Sequence, residues 1–309
     1  MTDAAGVARD GVARREFLAA TAGLTVAGLA ATEPRLAQAQ APARGTAAPS
    51  GPPVVLERLA GGILTIGINR PEAQNRIDPP TLIGLGKAYY ELDHDDALRV
   101  AVLHAYGPDF VPGLDAPAFA AAVRAGELPP KDPEWINPVG VAQPSRVKPL
   151  VVAVQGATRT VGHELFLAAD VRVAASDTVF AQNEVFVGAF PSGGATVRFP
   201  REAGWGNAMR YMLTGDEWGA EEAYRLGLMQ VVTPTGSQLE RAVDLAKKIA
   251  AAAPLGVRAT LASAHQVLAS EDAAYADLRA AASRIRQSAD YQEAQRAAQE
   301  KRAPVFQGR

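Results

Sequence analysis

Two glutamates, Glu164 and Glu184, are the side chains of this sequence that are best placed for acid–base chemistry. Glu164 follows an apolar run at residues 150–154 and a short polar turn that begins at Gly156, and it stands at the start of an Ala/Leu-rich helical pattern. A carboxylate at a helix start is either a surface charge or a group placed for chemistry. Glu184 lies in a second apolar stretch that leads into a Gly-rich turn, and the two together favour chemistry.

The turn before Glu164 can bind an oxygen that carries or develops negative charge. The apolar run is continuous and has the length of a strand, and the small and polar residues from Gly156 to Gly162 separate it from the helical pattern. The first amides of a helix have no partner inside the helix and carry partial positive charge. The sequence therefore predicts an anion-binding turn beside a carboxylate.

These segments resemble the crotonase, or enoyl-CoA hydratase/isomerase, superfamily. Its strand, glycine turn and Glu-Leu pattern corresponds to Gln155-Gly156, Thr160-Val161-Gly162 and Glu164-Leu165. Its second glutamate with a following Pro/Gly turn corresponds to Glu184 and Pro191-Ser-Gly-Gly194. The likeness covers roughly residues 54–309. It implies an α/β fold, a spiral of β-β-α units with a C-terminal helical region that builds trimers or hexamers.

The resemblance also assigns the site. The segment from Gly107 to Asp115 matches the family turn that forms half of an oxyanion hole, so the amides of Leu114 and Val161 are the implied donors. Glu164 would activate a water and Glu184 would donate a proton, which implies hydration of a 2-enoyl thioester. No separate cofactor is implied, because coenzyme A enters with the substrate. The implied substrate-binding residues are Gly113, Asp115, Gly162, His163 and Trp135.

Three departures from the family pattern keep other functions open. Position 161 is β-branched, His163 stands where a small residue is usual, and no basic residue follows Asp115, although Arg76 could supply that charge. A coenzyme-A-independent β-diketone hydrolase of the same superfamily is one alternative, with His163 assisting water attack. A non-catalytic binding protein on the same scaffold is another. Trp135 lines an acyl pocket or packs a loop down.

The composition excludes several classes of site. The net charge of −2 gives no indication of nucleic-acid binding. The chain has no cysteine, which excludes thiol nucleophiles, disulfides and thiolate metal sites, and the four histidines show no metal-ligand spacing.

Residues 1–39 are predicted to be a twin-arginine export signal. Arg14-Arg15 precede an apolar run, and Ala37-Gln38-Ala39 fits a cleavage site. The alternative is an N-terminal extension with chance arginines. Export would involve the twin-arginine machinery and place the protein in the periplasm or outside, without a membrane anchor, because the apolar run is too short. Coenzyme A thioesters are cytoplasmic, so the cytoplasm is the alternative location.

The remaining patterns predict the elements that position the site. Residues 40–53 read as a linker, 54–235 as the spiral core with the active site, and 236–309 as the helical region. Residues 54–59 and 63–69 predict a hairpin, 79–93 a helix, and 100–103, 150–155 and 171–175 strands. Residues 116–149 predict a loop over the site with one short helix. Later predictions are a strand at 228–232 and helices at 204–214, 220–226, 239–252, 255–268, 273–287 and 290–301.

Overall fold

A computed structural model gives the structure of the chain, and it describes residues 51–252, 254–266, 283, 286–302 and 304. The export signal, most of the linker and nearly all of the helix predicted at 273–287 lie outside these residues. No helix of the described ranges combines the length and apolarity needed to span a membrane.

A six-stranded sheet forms the centre of the fold, in the order β1-β2-β3-β4-β6-β9. β1 and β2 are antiparallel and form the predicted hairpin, and the other neighbours are parallel. A second, three-stranded sheet has the order β5-β7-β8. The strands are β1 Val54–Leu59, β2 Ile63–Ile68, β3 Val100–Ala105, β4 Leu150–Val154, β5 Ala157–Arg159, β6 Val171–Ala175, β7 Val179–Ala181, β8 Trp218–Gly219 and β9 Val231–Thr233.

The inner strands β2, β3, β4 and β6 of the large sheet are buried on both faces, as the continuous apolar runs predict, whereas the edge strand β1 is partly exposed. Alternate residues of β4 face opposite cores: Val152 and Val154 pack into the larger core, while Val151 and Ala153 face the smaller core under a later helix.

The helices of the described residues are α1 Pro79–His94, α2 Ala116–Arg124, α3 Val161–Leu167, α4 Ala195–Ala203, α5 Trp205–Thr214, α6 Ala220–Arg225, α7 Gln238–Ala250, α8 Pro254–Gln266 and α9 Ala289–Gln299.

The mixed α/β fold with a parallel sheet is the predicted one. Helix α2 is the short helix expected at the start of the 116–149 loop. The strand predicted at residues 228–232 forms later, at Val231–Thr233. Leu228 and Met229 are buried, and the amide of Leu228 donates to the Ala223 carbonyl of α6 instead of to a strand. The small sheet was not predicted, since strands of two or three residues are too short to show a period.

Candidate active site

The turn after β4 is held by close backbone packing. Gly156 has φ 53°, and a Cβ at this position would lie less than 3.0 Å from the Pro108 carbonyl oxygen. Strand β5 then pairs with the segment before Gly113: the amide of Val111 donates to Ala157 and the amide of Arg159 donates to Val111, at 3.0 and 2.9 Å. The two segments that carry the predicted donors therefore run side by side.

The amide of Leu114 lies outside the pairing that holds its own loop. The amide of Ile77 donates to the Gly113 carbonyl at 3.0 Å, and the amide of Asp115 donates back to the Ile77 carbonyl at 2.8 Å. The groups that pair with Ile77 are the Gly113 carbonyl and the Asp115 amide, on either side of Leu114. Because successive amides of an extended segment point in opposite directions, the Leu114 amide points away from Ile77. Leu114 as a whole residue is 38% exposed.

The second predicted donor, Val161, begins α3. Its amide precedes the intrahelical hydrogen-bond pattern. The residues before the two predicted donors approach closely, because a Cβ on Gly113 would lie 3.2 Å from Oγ1 of Thr160. Thr160 has φ 50° and ψ −119°, a conformation that costs a β-branched residue about 1–3 kcal/mol. The strained residue thus immediately precedes the predicted donor.

Glu164 is buried within the first two turns of α3, and its carboxylate binds the start of α4. Its Oε1 accepts hydrogen bonds from the amides of Gly193, at 2.6 Å, and Ala195, at 3.3 Å. Burial raises the pKa of Glu164 to about 7, although these two hydrogen bonds and the positive charge of Arg198 oppose the rise.

Glu184 begins a 3₁₀ helix, Glu184–Val187, that follows β7. Burial, and after it the negative charge of Glu164, raise the pKa of Glu184 to about 8. The charge of Glu164 thus acts on Glu184, and the role of the two residues as an acid–base pair stays a prediction. The Oε2 atom of Glu184 is buried and has no hydrogen-bond partner within the described residues. A buried unpaired carboxyl oxygen is typical of a group that completes its hydrogen bonds with a ligand or a reacting water.

These pKa shifts predict a bell-shaped pH profile. Ionised Glu164 can act as a base and protonated Glu184 as an acid, and this combination is most populated between pH about 7 and about 8. We expect kcat/KM to fall below this window as Glu164 gains its proton, and above it as Glu184 loses its proton. The measurement is kcat/KM from about pH 5 to about pH 10. A profile that is flat across this range would contradict the assignment.

The other predicted substrate-binding residues occupy different positions. Gly162 is buried, and a Cβ there would lie less than 3.0 Å from the Val111 carbonyl oxygen. Asp115 caps α2 by accepting from the amide of Ala118 at 3.2 Å. Trp135 packs on α1, where its indole nitrogen donates to the Leu82 carbonyl at 3.4 Å. This placement matches the expectation that Trp135 packs the loop down and gives it no contact with the predicted donors.

His163 lies away from any surface that a substrate could contact. It is 0% exposed, and its ring is surrounded by Phe166, Phe180, Phe199 and Trp218 at centroid distances of 6.0, 5.6, 5.2 and 5.1 Å. Burial lowers its pKa to about 3, and the positive charge of Arg172 adds to the effect, so the ring is neutral. This position differs from the substrate-lining one that the sequence suggested.

The sequence analysis did not identify two residues near Glu164 and the Thr160–Val161 turn. Arg198 on α4 donates to the carbonyls of Gly193 and Gly140, at 3.3 and 3.1 Å, and so ties the loop over the site to the turn that holds Glu164. Gln182 is fully buried beside His163. Gln182 lies just past the end of β7, two residues after Phe180, and this spacing was the available signal, because residues i and i+2 of an extended segment share a face.

One basic residue lies beside the predicted donors. Arg76 is exposed, and its Nη1 lies 3.8 Å from where a Cβ on Gly113 would be. The sequence left the position of this charge open. Within the described part of the chain, no group of three or more His, Asp or Glu side chains is arranged to hold a metal ion.

Comparison with known proteins gives consistent similarities. The Enoyl-CoA hydratase/isomerase family matches residues 58–309. The enoyl-CoA hydratase EchA19 of Mycobacterium tuberculosis is 33% identical, over 84% of this chain and 98% of that protein. The carnitinyl-CoA dehydratase of Salmonella typhi is 33% identical, over 81% and 96%. The crystal structure of a probable enoyl-CoA hydratase/isomerase from Mycobacterium abscessus superposes with a TM-score of 0.68 at 42% identity, over 83% of this chain and 99% of that one.

Proposed function

The chain belongs to the enoyl-CoA hydratase/isomerase family, and we propose that Glu164 and Glu184 add water across the double bond of a 2-enoyl thioester. The function is that of an enoyl-CoA hydratase-like lyase. The observation that carries the residue assignment is the interaction of the two buried carboxyls, both with raised pKa values, beside two amides that are free of backbone pairing.

The proposed reaction begins with the thioester oxygen between the amides of Leu114 and Val161. Preorganised donors of this kind stabilise a developing oxyanion by about 3 kcal/mol each. Polarisation of the carbonyl makes the third carbon of the enoyl group electrophilic. Glu164 takes a proton from the attacking water, and Glu184 delivers a proton to the second carbon. The higher pKa of Glu184 agrees with its role as the acid, since Glu164 ionises first.

The position of His163 favours hydration over the β-diketone hydrolase alternative. That alternative requires His163 to assist a water, but the ring is fully buried and its Nδ1 lies 2.9 Å from Nε2 of Gln182. Arg76 supports a substrate that carries coenzyme A, because an exposed guanidinium beside Gly113 suits the phosphates of the nucleotide. The proposal requires no other cofactor.

Direct assay of the full-length protein tests the function. We expect hydration of crotonyl-CoA, followed as loss of the enone absorbance, and no cleavage of a cyclic β-diketone in parallel samples. Activity on the diketone alone would replace the hydratase with the hydrolase. Activity on neither substrate would favour a binding protein on the same scaffold.

We also propose that the protein self-associates, as a trimer or a hexamer. Large apolar side chains remain exposed on one chain, and burial against a second copy would remove them from water. These side chains include Phe186, Val187, Trp205, Leu213 and Tyr224. Light scattering on the purified protein gives the mass directly.

Export by the twin-arginine route is proposed from the N-terminal sequence. Replacing Arg14 and Arg15 with Lys is expected to leave the protein in the cytoplasm, because the arginine pair is the feature that the export machinery reads. Cell fractionation of the parent and the variant measures this. Equal distribution of the two would show that residues 1–39 are not a twin-arginine signal.

A further inference from the structure

The peptide group that joins Thr160 to Val161 makes different interactions through its N–H and through its carbonyl oxygen. Its N–H is the proposed oxyanion donor, and its carbonyl oxygen points into the protein. That oxygen accepts from the amide of Glu164 at 3.0 Å and from Nε2 of Gln182 at 3.3 Å. The direction of the Val161 N–H is therefore determined by what holds the Thr160 carbonyl, because a peptide unit is planar.

The amide of Gln182 connects this carbonyl to the ring of His163. Its Nε2 lies 2.9 Å from Nδ1 of His163 as well as 3.3 Å from the Thr160 oxygen. A side-chain amide nitrogen carries two hydrogens, so it can donate to both acceptors. The opposite orientation of the amide would place Oε1 against the Thr160 oxygen, two acceptors with no hydrogen between them. The arrangement requires Nδ1 to accept, so the neutral ring carries its one hydrogen on Nε2.

The surrounding aromatic rings fix the position of His163. Phe166, Phe180, Phe199 and Trp218 enclose the imidazole, and both His163 and Gln182 are 0% exposed. The His163 ring cannot rotate without displacing a packed ring, and Gln182 is held by its contacts with His163 and the Thr160 carbonyl. The Thr160 peptide is thus attached to a rigid part of the core, although the backbone conformation of Thr160 is unfavourable for a β-branched residue.

We propose that His163 and Gln182 are positioning residues that hold the strained Thr160–Val161 peptide with its N–H facing the substrate oxygen. The inference rests on the proposed function of that N–H. Hydrogen bonds to the carbonyl also polarise the peptide and strengthen the N–H as a donor. Neither side chain contacts the substrate.

The test combines loss of the link with relief of the strain. Gln182→Met keeps a similar shape and removes the donor, and we expect kcat to fall by about tenfold to a hundredfold with little change in KM, since the interaction acts in the transition state. Thr160→Gly alone is the reference for the double variant, because glycine adopts this conformation without strain. Combined with Gln182→Met, it should recover most of the loss. Gln238→Met, another buried glutamine on α7, is the matched control.

Two results would overturn the inference: kcat of Gln182→Met within twofold of the parent, or no recovery in the double variant. His163→Phe keeps a packed ring but removes the Nδ1 acceptor. It replaces Gln182→Met in the same set of single and double variants if Gln182→Met does not fold. Polarisation of bound acetoacetyl-CoA, measured as its enolate absorbance, gives a readout without turnover. Absence of hydration in the parent would refute the proposed function, whereas an enolate signal that Gln182→Met weakens and Thr160→Gly restores would still support the link.

Discussion

Glu184→Gln and Glu164→Gln are each expected to lower kcat for crotonyl-CoA hydration by about 10²–10⁴-fold, the usual contribution of a positioned acid or base. A glutamine at position 184 cannot supply the carboxylic proton, and a glutamine at position 164 cannot accept one from water. The double variant should lose less than the product of the two single losses, because the two groups act on one water and one carbon. Steady-state kinetics of the three variants measures this.

Thermal unfolding distinguishes a variant that lacks a catalytic group from a variant that is inactive because it folds poorly. The folded pKa of Glu184 is raised, so the native state retains a proton that the unfolded chain releases above its ordinary value of 4.5. The free energy of unfolding therefore decreases as pH rises from about 4.5 to about 8. Glu184→Gln removes this cost and should have a Tm at pH about 8.5 that is equal to or above that of the parent.

Glu221→Gln on α6, where the side chain is exposed, is the matched control and should retain parental activity. Near-full activity in both Glu164→Gln and Glu184→Gln would refute their assignment as the acid–base pair. A large drop in Tm at every pH would instead indicate a structural role for the carboxyl concerned.

Gly193→Ala is expected to lower kcat by about 10²-fold, although it replaces no proposed catalytic side chain. A loss of this size is what displacing a reacting group by about 1 Å costs. A Cβ at position 193 would lie less than 3.0 Å from Oε2 of Glu164, while the amide of the same residue donates to Oε1 at 2.6 Å. The added methyl group must therefore push the carboxylate away from its donors. We expect the loss in kcat, with KM little changed.

Gly206→Ala on α5 provides the control for a glycine-to-alanine change. Among the described residues, no atom outside the adjacent residues and nearby backbone of α5 lies within 4 Å of the Cβ that it would add, so activity should remain parental. Circular dichroism of both variants would show whether either disturbs the fold. Parental kcat in a folded Gly193→Ala variant would show that the contact between the α4 turn and Glu164 does not set the position of the carboxylate.

Arg198 extends the same argument to the loop over the site. Its guanidinium bonds the carbonyl of Gly193 on one side and of Gly140 on the other, and its charge favours ionised Glu164. Arg198 therefore connects the loop at residues 116–149 to the turn whose amides bind Glu164. The sequence predicted the loop and the turn separately, and nothing in their local patterns connected them.

The sequence alone was sufficient for features that depend on neighbouring residues. The hairpin of β1 and β2, the parallel strands β3, β4 and β6, and helices α1 and α7 follow from apolar periodicity, and the structure has them within a few residues of the predicted bounds. The two glutamates also stood out locally, because carboxylates are unusual in apolar segments beside glycine turns. Their role as an acid–base pair stays a prediction, and the effect of the Glu164 charge on the pKa of Glu184 supports it.

Only the tertiary structure decided which distant groups meet. The amide of Gly193 reaches Glu164, Gln182 reaches the Thr160 carbonyl, and Trp135 packs on α1, each across a large separation in sequence. The aromatic rings that enclose His163 likewise come from α3, α4, β7 and β8, so its neutral, buried state could not be predicted from its neighbours in the chain. The physical reason is that periodicity records which face of an element is apolar, whereas contacts between elements depend on how those faces pack together.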